Sequence, residues 1–192
     1  MMKAKIKKIL GFESVNWTRV VMIRESKKLI EELNPRQLNV LEISGNTWRT
    51  FGFASYRSVD YPQYDICKNV LTERFTLIIA EQVFEHVAHP HLAVNNIYAM
   101  LEKGGCFYIS VPFMYPVHEA PQDCARWTET GLRHLLTGGG FPEEKIVTQS
   151  WGNRGVVQRL LKGGSLTYNR YFHSLRNEPK FPVVVWGVAR KD

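Results

Sequence analysis

Apolar residues along this chain fall into two kinds of run. Thr76-Leu-Ile-Ile-Ala80 and Cys106-Phe-Tyr-Ile-Ser-Val111 are nearly continuous, the pattern of strands buried on both faces. Between them Leu92, Val94, Ile97, Met100 and Leu101 recur at helical spacing and stop at Lys103-Gly104-Gly105. Strand, helix, strand in this order is a crossover, and a crossover between two doubly buried strands predicts a parallel sheet with helices on either side. The fold class is therefore α/β.

The same reading places the remaining elements. Ser14 to Leu33 carries Val20, Ile23, Leu29, Ile30 and Leu33 at helical intervals and is stopped by Asn34-Pro35. Leu38 to Trp48 reads as the first strand of the sheet with its turn and Ser55 to Asp60 as the second strand, with too few residues between Trp48 and Ser55 for a full crossover helix. Thr128-Glu129 with Gly131-Leu132 opens a helix that ends at Gly138-Gly139-Gly140. Glu144 to Trp151 predicts a strand, Arg154 to Lys162 a helix and Phe181 to Ala189 a last strand. Lys162 to Tyr171, basic and aromatic, reads either as a surface linker or as a segment reaching an acceptor. With 192 residues, 44% of them hydrophobic, the chain suits one core, with residues 1–36 as a helical cap on an α/β unit over 37–192.

Charge changes the picture at the ends. The net +7 is uneven: residues 1–36 carry nine cations against four anions, residues 37–144 seven against twelve, and residues 145–192 nine against two. Basic flanks can meet phosphate or an anionic surface, or only water; no specific nucleic acid is expected. Met1 to Gly11, alternating Lys with aliphatic residues, fits a short amphipathic piece on an anionic surface or an ordinary packed helix. Cys67, Cys106 and Cys124 lack metal-type spacing, and no apolar run is long enough to span a bilayer. A reducing, cytoplasmic setting is expected.

Two motifs carry chemistry. The first joins Glu85-His86-Val87, Pro90, Leu92, Leu101, Gly104-Gly105 and Ser110-Val111-Pro112. The second runs Pro112-Phe-Met-Tyr115-Pro-Val-His118 to Asp123, Arg126-Trp127-Thr128 and Gly131-Leu132. Together they resemble the small-molecule, methyltransferase type 11-like branch of the class I S-adenosylmethionine (SAM) dependent methyltransferases. The resemblance implies a Rossmann-like, mostly parallel sheet with an antiparallel strand pair at its edge and helices on both faces. It also implies SAM as methyl donor, S-adenosylhomocysteine as product, and a small-molecule acceptor.

On that alignment the cofactor residues are Glu42, Ser44, Gly45, Asn46, Asp60, Tyr61, Asp65, Ile66, Glu81, Gln82 and Val83. Asp60 stands at the spacing from Glu42 where a carboxylate takes both protons of a ribose diol. Asp65 with Ile66 takes the adenine place, or Asp65 only caps its turn. Where the family has a glycine-rich loop this chain has Ser44, Gly45, Asn46 and Trp48, so Gly45 alone remains there. The acceptor residues are His86, Tyr115, Arg126 and Trp127. His118 is the base for O-methylation of a small or sugar-like acceptor, with Asp123 orienting it or pairing with Arg126. No metal is expected, because His86, His89 and His91 around Pro90 do not share a helical face. The competing expectation is a methyltransferase-like scaffold without catalysis. An NAD-dependent oxidoreductase is disfavoured because no G-x-G-x-x-G follows the first strand.

Overall fold

The computed structural model describes residues 10–119 and 121–192. Its centre is a six-stranded sheet in the order β3-β2-β4-β5-β8-β6. The strands are β2 (Asn39–Ile43), β3 (Ser55–Val59), β4 (Phe75–Glu81), β5 (Leu101–Pro112), β6 (Ile146–Trp151) and β8 (Val184–Arg190). The pairs β3–β2, β2–β4 and β4–β5 are parallel, whereas β8 runs antiparallel to both β5 and β6. The expected antiparallel pair thus closes one edge. A separate two-stranded ribbon joins β1 (Phe12–Asn16) to β7 (Thr167–Asn169).

Strand alternation splits the core in two. Ile78, Ala80, Phe107, Ile109 and Val111 point to one face, against Ala93, Val94, Ile97 and Met100 of α2 (Pro90–Met100) and Leu132, Leu135 and Leu136 of α3 (Glu129–Gly138). Leu77, Ile79, Cys106 and Tyr108 point to the other, against Met22 and Ile30 of α1 (Val20–Glu32) and Val156 of α4 (Arg154–Leu161). Both central strands are covered on both faces, as their unbroken apolar runs require. The Tyr108 hydroxyl also shares a 2.5 Å hydrogen bond with Ser26 Oγ, fixing α1 over β5.

Several boundaries depart from the sequence pattern. Ser14 to Asn16 lies in β1 instead of a helix, and Trp17–Arg19 is a 3-10 turn before α1 begins. The cause is local: the Asn16 side chain accepts from Thr18 N at 2.9 Å and starts the turn there. Leu101 opens β5, so its burial belongs to the sheet, and Leu92 is 51% exposed while its neighbour Ala93 is buried. Within Lys162 to Tyr171, Tyr168 and Asn169 of β7 are buried, so that segment is structural in part. The amphipathic expectation for Met1 to Gly11 falls mostly on residues 1–9, outside the described residues.

No helix connects β2 to β3. Aromatic side chains occupy the connection, with Trp48–Phe51, Phe51–Phe53 and Phe53–Tyr56 ring centroids 5.2, 5.5 and 6.4 Å apart. They pack on the same core as Leu77 and Ile79.

Candidate active site

A parallel sheet binds ligands beyond the carboxyl ends of its strands, where the connections depart to opposite sides. Here that point lies between β2 and β4. Immediately after each strand the backbone enters the left-handed region at a non-glycine residue, Ser44 (φ 52°) and Gln82 (φ 56°). Such conformations cost energy and persist where surrounding contacts enforce them. Ser44 is held by its amide, which donates to Val59 O at 2.7 Å; Gln82 N donates to Ser110 O at 2.9 Å.

Glu42 organises the first of these turns. Its carboxylate is buried and accepts from Thr47 N at 3.0 Å, Trp48 N at 3.1 Å and the Tyr56 hydroxyl at 2.6 Å. Burial and this carboxylate raise the Tyr56 pKa well above the ordinary phenol value, keeping the hydroxyl a donor. Gly45 is required by the same carboxylate: a Cβ there would stand 2.9 Å from Glu42 Oε1. The Gly45 carbonyl accepts from Ser58 Oγ at 2.5 Å. One glycine and one folded-back glutamate therefore shape a turn that lacks the other glycines, leaving Ser44 and Asn46 exposed beside it.

Asp60 is exposed just past β3, next to the exposed Tyr61. Asp65 is engaged in its own turn, accepting from Cys67 N at 3.0 Å and facing Lys68 Nζ at 3.1 Å, contacts that lower its pKa. Ile66 is buried and its carbonyl accepts from Asn96 Nδ2 at 2.7 Å. Past β4, Glu81 accepts from the Trp48 indole at 3.1 Å, and burial raises its pKa. Gln82 Nε2 lies 3.3 Å from Ser110 Oγ, and Val83 is buried in the core.

Residues 113–128 fold against this end of the sheet. Asp123 is their hub. Its side chain accepts from His118 N at 2.8 Å and from both terminal nitrogens of Arg126, one at 2.6 Å. The guanidinium holds the Asp123 carboxyl well below the usual range. His118 Nδ1 stands 3.5 Å from the same carboxylate and 3.3 Å from Pro116 O. Asp123 thus stands in contact with both His118 and Arg126. The segment is pinned to the turn after β4 by a reciprocal pair: His86 Nδ1 donates to Gln122 O at 2.6 Å and Gln122 Nε2 donates to His86 O at 2.9 Å. Cys124 N and Ala125 N donate to Glu85 O at 2.6 and 3.3 Å.

The enclosed space is a cavity of about 80 Å³ lined by Thr18, Arg19, Gln82, Tyr115 and His118, with Pro112, Val183 and Val184 behind. The ring centroids of His118 lie 5.4 Å from Tyr115 and 5.1 Å from His86. Trp127 is half-buried and packs on the core below α3. Thr18, Arg19 and Gln122 were not singled out by the sequence; only three-dimensional closure brings them here. Glu85, which opens the first motif, is fully buried, and neither of its carboxylate oxygens has a hydrogen-bond partner. Burial pushes its pKa up to about 7.

A family model described as a methyltransferase domain matches residues 16–145. No curated protein matches the chain in sequence. Among solved structures, a SAM-dependent methyltransferase from Mesorhizobium loti aligns with TM-score 0.53 at 13% identity, covering 85% of this chain and 96% of its own. One from Archaeoglobus fulgidus gives 0.55 at 10% identity, with 88% and 94% covered. The Haemonchus contortus phosphoethanolamine N-methyltransferase 2, solved with SAM, gives 0.57 at 11% identity, covering 87% of this chain and 52% of its own.

Proposed function

Given that the chain belongs to the methyltransferase-domain family of class I SAM-dependent enzymes, we propose that it methylates an oxygen of a small-molecule or sugar-like acceptor held under residues 113–128. The observation that carries this reading is the meeting of His118, Tyr115 and Gln82 around one cavity at the carboxyl ends of β4 and β5. SAM supplies a methyl group activated by its sulfonium.

The donor set suits that ligand. Asp60, exposed past β3, takes the ribose hydroxyls, and Asp65 with Ile66 borders the adenine. The turn shaped by Glu42 through Ser44, Gly45 and Asn46, together with Glu81, Gln82 and Val83, holds the methionine portion. Tyr115, His86, Arg126 and Trp127 frame the acceptor. His118 accepts the acceptor's proton while Asp123 keeps Nδ1 as the protonated nitrogen, which leaves the Nε2 lone pair free. Alignment of donor and acceptor supplies the rest of the rate. Among the described residues no helix is long and apolar enough to cross a membrane. We take the setting to be cytoplasmic, with the basic flanks available for weak contact with an anionic surface.

Calorimetry with SAM and S-adenosylhomocysteine tests the donor site. Asp60→Ala is expected to weaken both by roughly 10-fold or more, as loss of a charged hydrogen-bond pair does. In an acceptor screen His118→Ala should lower kcat by about 10²- to 10⁴-fold with SAM affinity unchanged. Native binding that Asp60→Ala leaves intact, or turnover indifferent to His118, would overturn the assignment.

A further inference from the structure

From the buried Glu85 and the two imidazoles beside it, we infer that this protein binds a divalent transition-metal ion through Glu85, His86 and His118. One ligand atom from each residue lies within 4.8 Å of the others. His86 Nε2 is 3.8 Å from Glu85 Oε1. Donors bonded to one ion at about 2.0–2.2 Å stand roughly 3–4 Å apart, so small side-chain rotations close this set around a cation.

The second observation is Glu85 itself. Both oxygens are buried without a partner, whereas the buried carboxylate of Glu42 accepts three hydrogen bonds. A buried acceptor left unpaired in this way calls for a partner, and an ion is one that satisfies both oxygens. The imidazoles are arranged to match. His86 Nδ1 faces the Gln122 carbonyl at 2.6 Å and must donate to it, which keeps the lone pair on Nε2, the nitrogen nearest Glu85. His118 Nδ1 faces the Pro116 carbonyl and Asp123. A ring N–H held by a carbonyl or carboxylate is how proteins orient and strengthen metal-ligating histidines. The nearby cation Arg126 is neutralised by its pairing with Asp123.

Two nitrogens and one carboxylate favour zinc, iron, cobalt or manganese over magnesium or calcium, and three protein ligands leave positions open. His118 also lines the cavity, so an open position on the ion can take an acceptor hydroxyl and lower its pKa, the proton leaving to water. This deepens the proposed O-methylation, on which its catalytic meaning rests; in the metal-loaded protein His118 acts through the ion instead of as a free base. The site itself stands apart from that reading.

The full chain, stripped with chelator, is titrated with Co2+ and followed by calorimetry and visible absorption, beside a SAM titration. Expected is one Co2+ per chain with ligand-field bands, weakened at least 10-fold in Glu85→Gln and in His118→Ala, while both variants keep native circular dichroism. SAM affinity should be unchanged in His118→Ala, which sits on an accessible loop and guards against misfolding of the Glu85 variant. Absence of stoichiometric Co2+, or binding that both variants retain, overturns the site. Co2+ binding without SAM binding would leave the site standing and remove the methyl-transfer reading.

Discussion

Single side chains at the carboxyl ends of β2 and β4 show how far residue identity reaches. Glu81 is penalised as a carboxylate by burial, with the Trp48 indole offsetting part of that penalty. Its folded pKa lies above the ordinary 4.5, so its contribution to stability is present below the unfolded value and is lost as pH rises through the folded one. Glu81→Gln removes that loss and still accepts from Trp48. Urea denaturation should show the variant equal to the native chain at about pH 4 and more stable at about pH 8; a gain that shrinks with rising pH would contradict the argument. At this scale the pairing of Asp123 with Arg126 was readable, because opposite charges three residues apart announce it. Glu85 was unreadable, because burial of a single acid leaves no trace in periodicity. Nor could Ser44 be recognised as a left-handed residue, since only Gly and Asn advertise that conformation.

Between elements, the packing of α3 on α2 depends on a residue with no side chain. A Cβ on Gly139, just after α3, would stand 2.0 Å from Val94 Cγ1 on α2. Gly139→Ala should therefore cost about 1–3 kcal/mol by overpacking. Adding Val94→Ala should return part of it, so the double mutant is less destabilised than the two losses summed; strict additivity in urea melts would place the strain elsewhere. The Gly138-Gly139-Gly140 run marked the end of this helix but not its packing role. Where local pattern and tertiary packing agree, as in β4, α2 and β5, the elements were legible. β1 was not, because Phe12–Asn16 is a strand only by virtue of Thr167–Asn169, too remote and too short to signal itself.

Across the whole molecule, two apolar layers enclose a sheet whose active end draws on distant parts of the chain: Thr18 and Arg19 before α1, Gln82 after β4, Pro112, Tyr115 and His118 at and beyond the end of β5, and Val183 and Val184 at the start of β8. The fold class could be read from one crossover; this convergence could not, because no periodicity relates Arg19 to His118. The sheet's strand order has a consequence in time as well. β8 pairs Cys106 with Arg190 on one side and Ile146 with Ala189 on the other, so the edge strand β6 joins the sheet only through β8. Loop closures that long slow folding. Val185, buried between Val111 and Ser150, reports on that step. Val185→Ala should cost about 2 kcal/mol, nearly all of it as faster unfolding in stopped-flow chevrons; a matching fall in the folding rate would mean that β8 belongs to the nucleus. β8 is thus the link between the edge strand and the parallel core, and the catalytic end is complete only once that link is made.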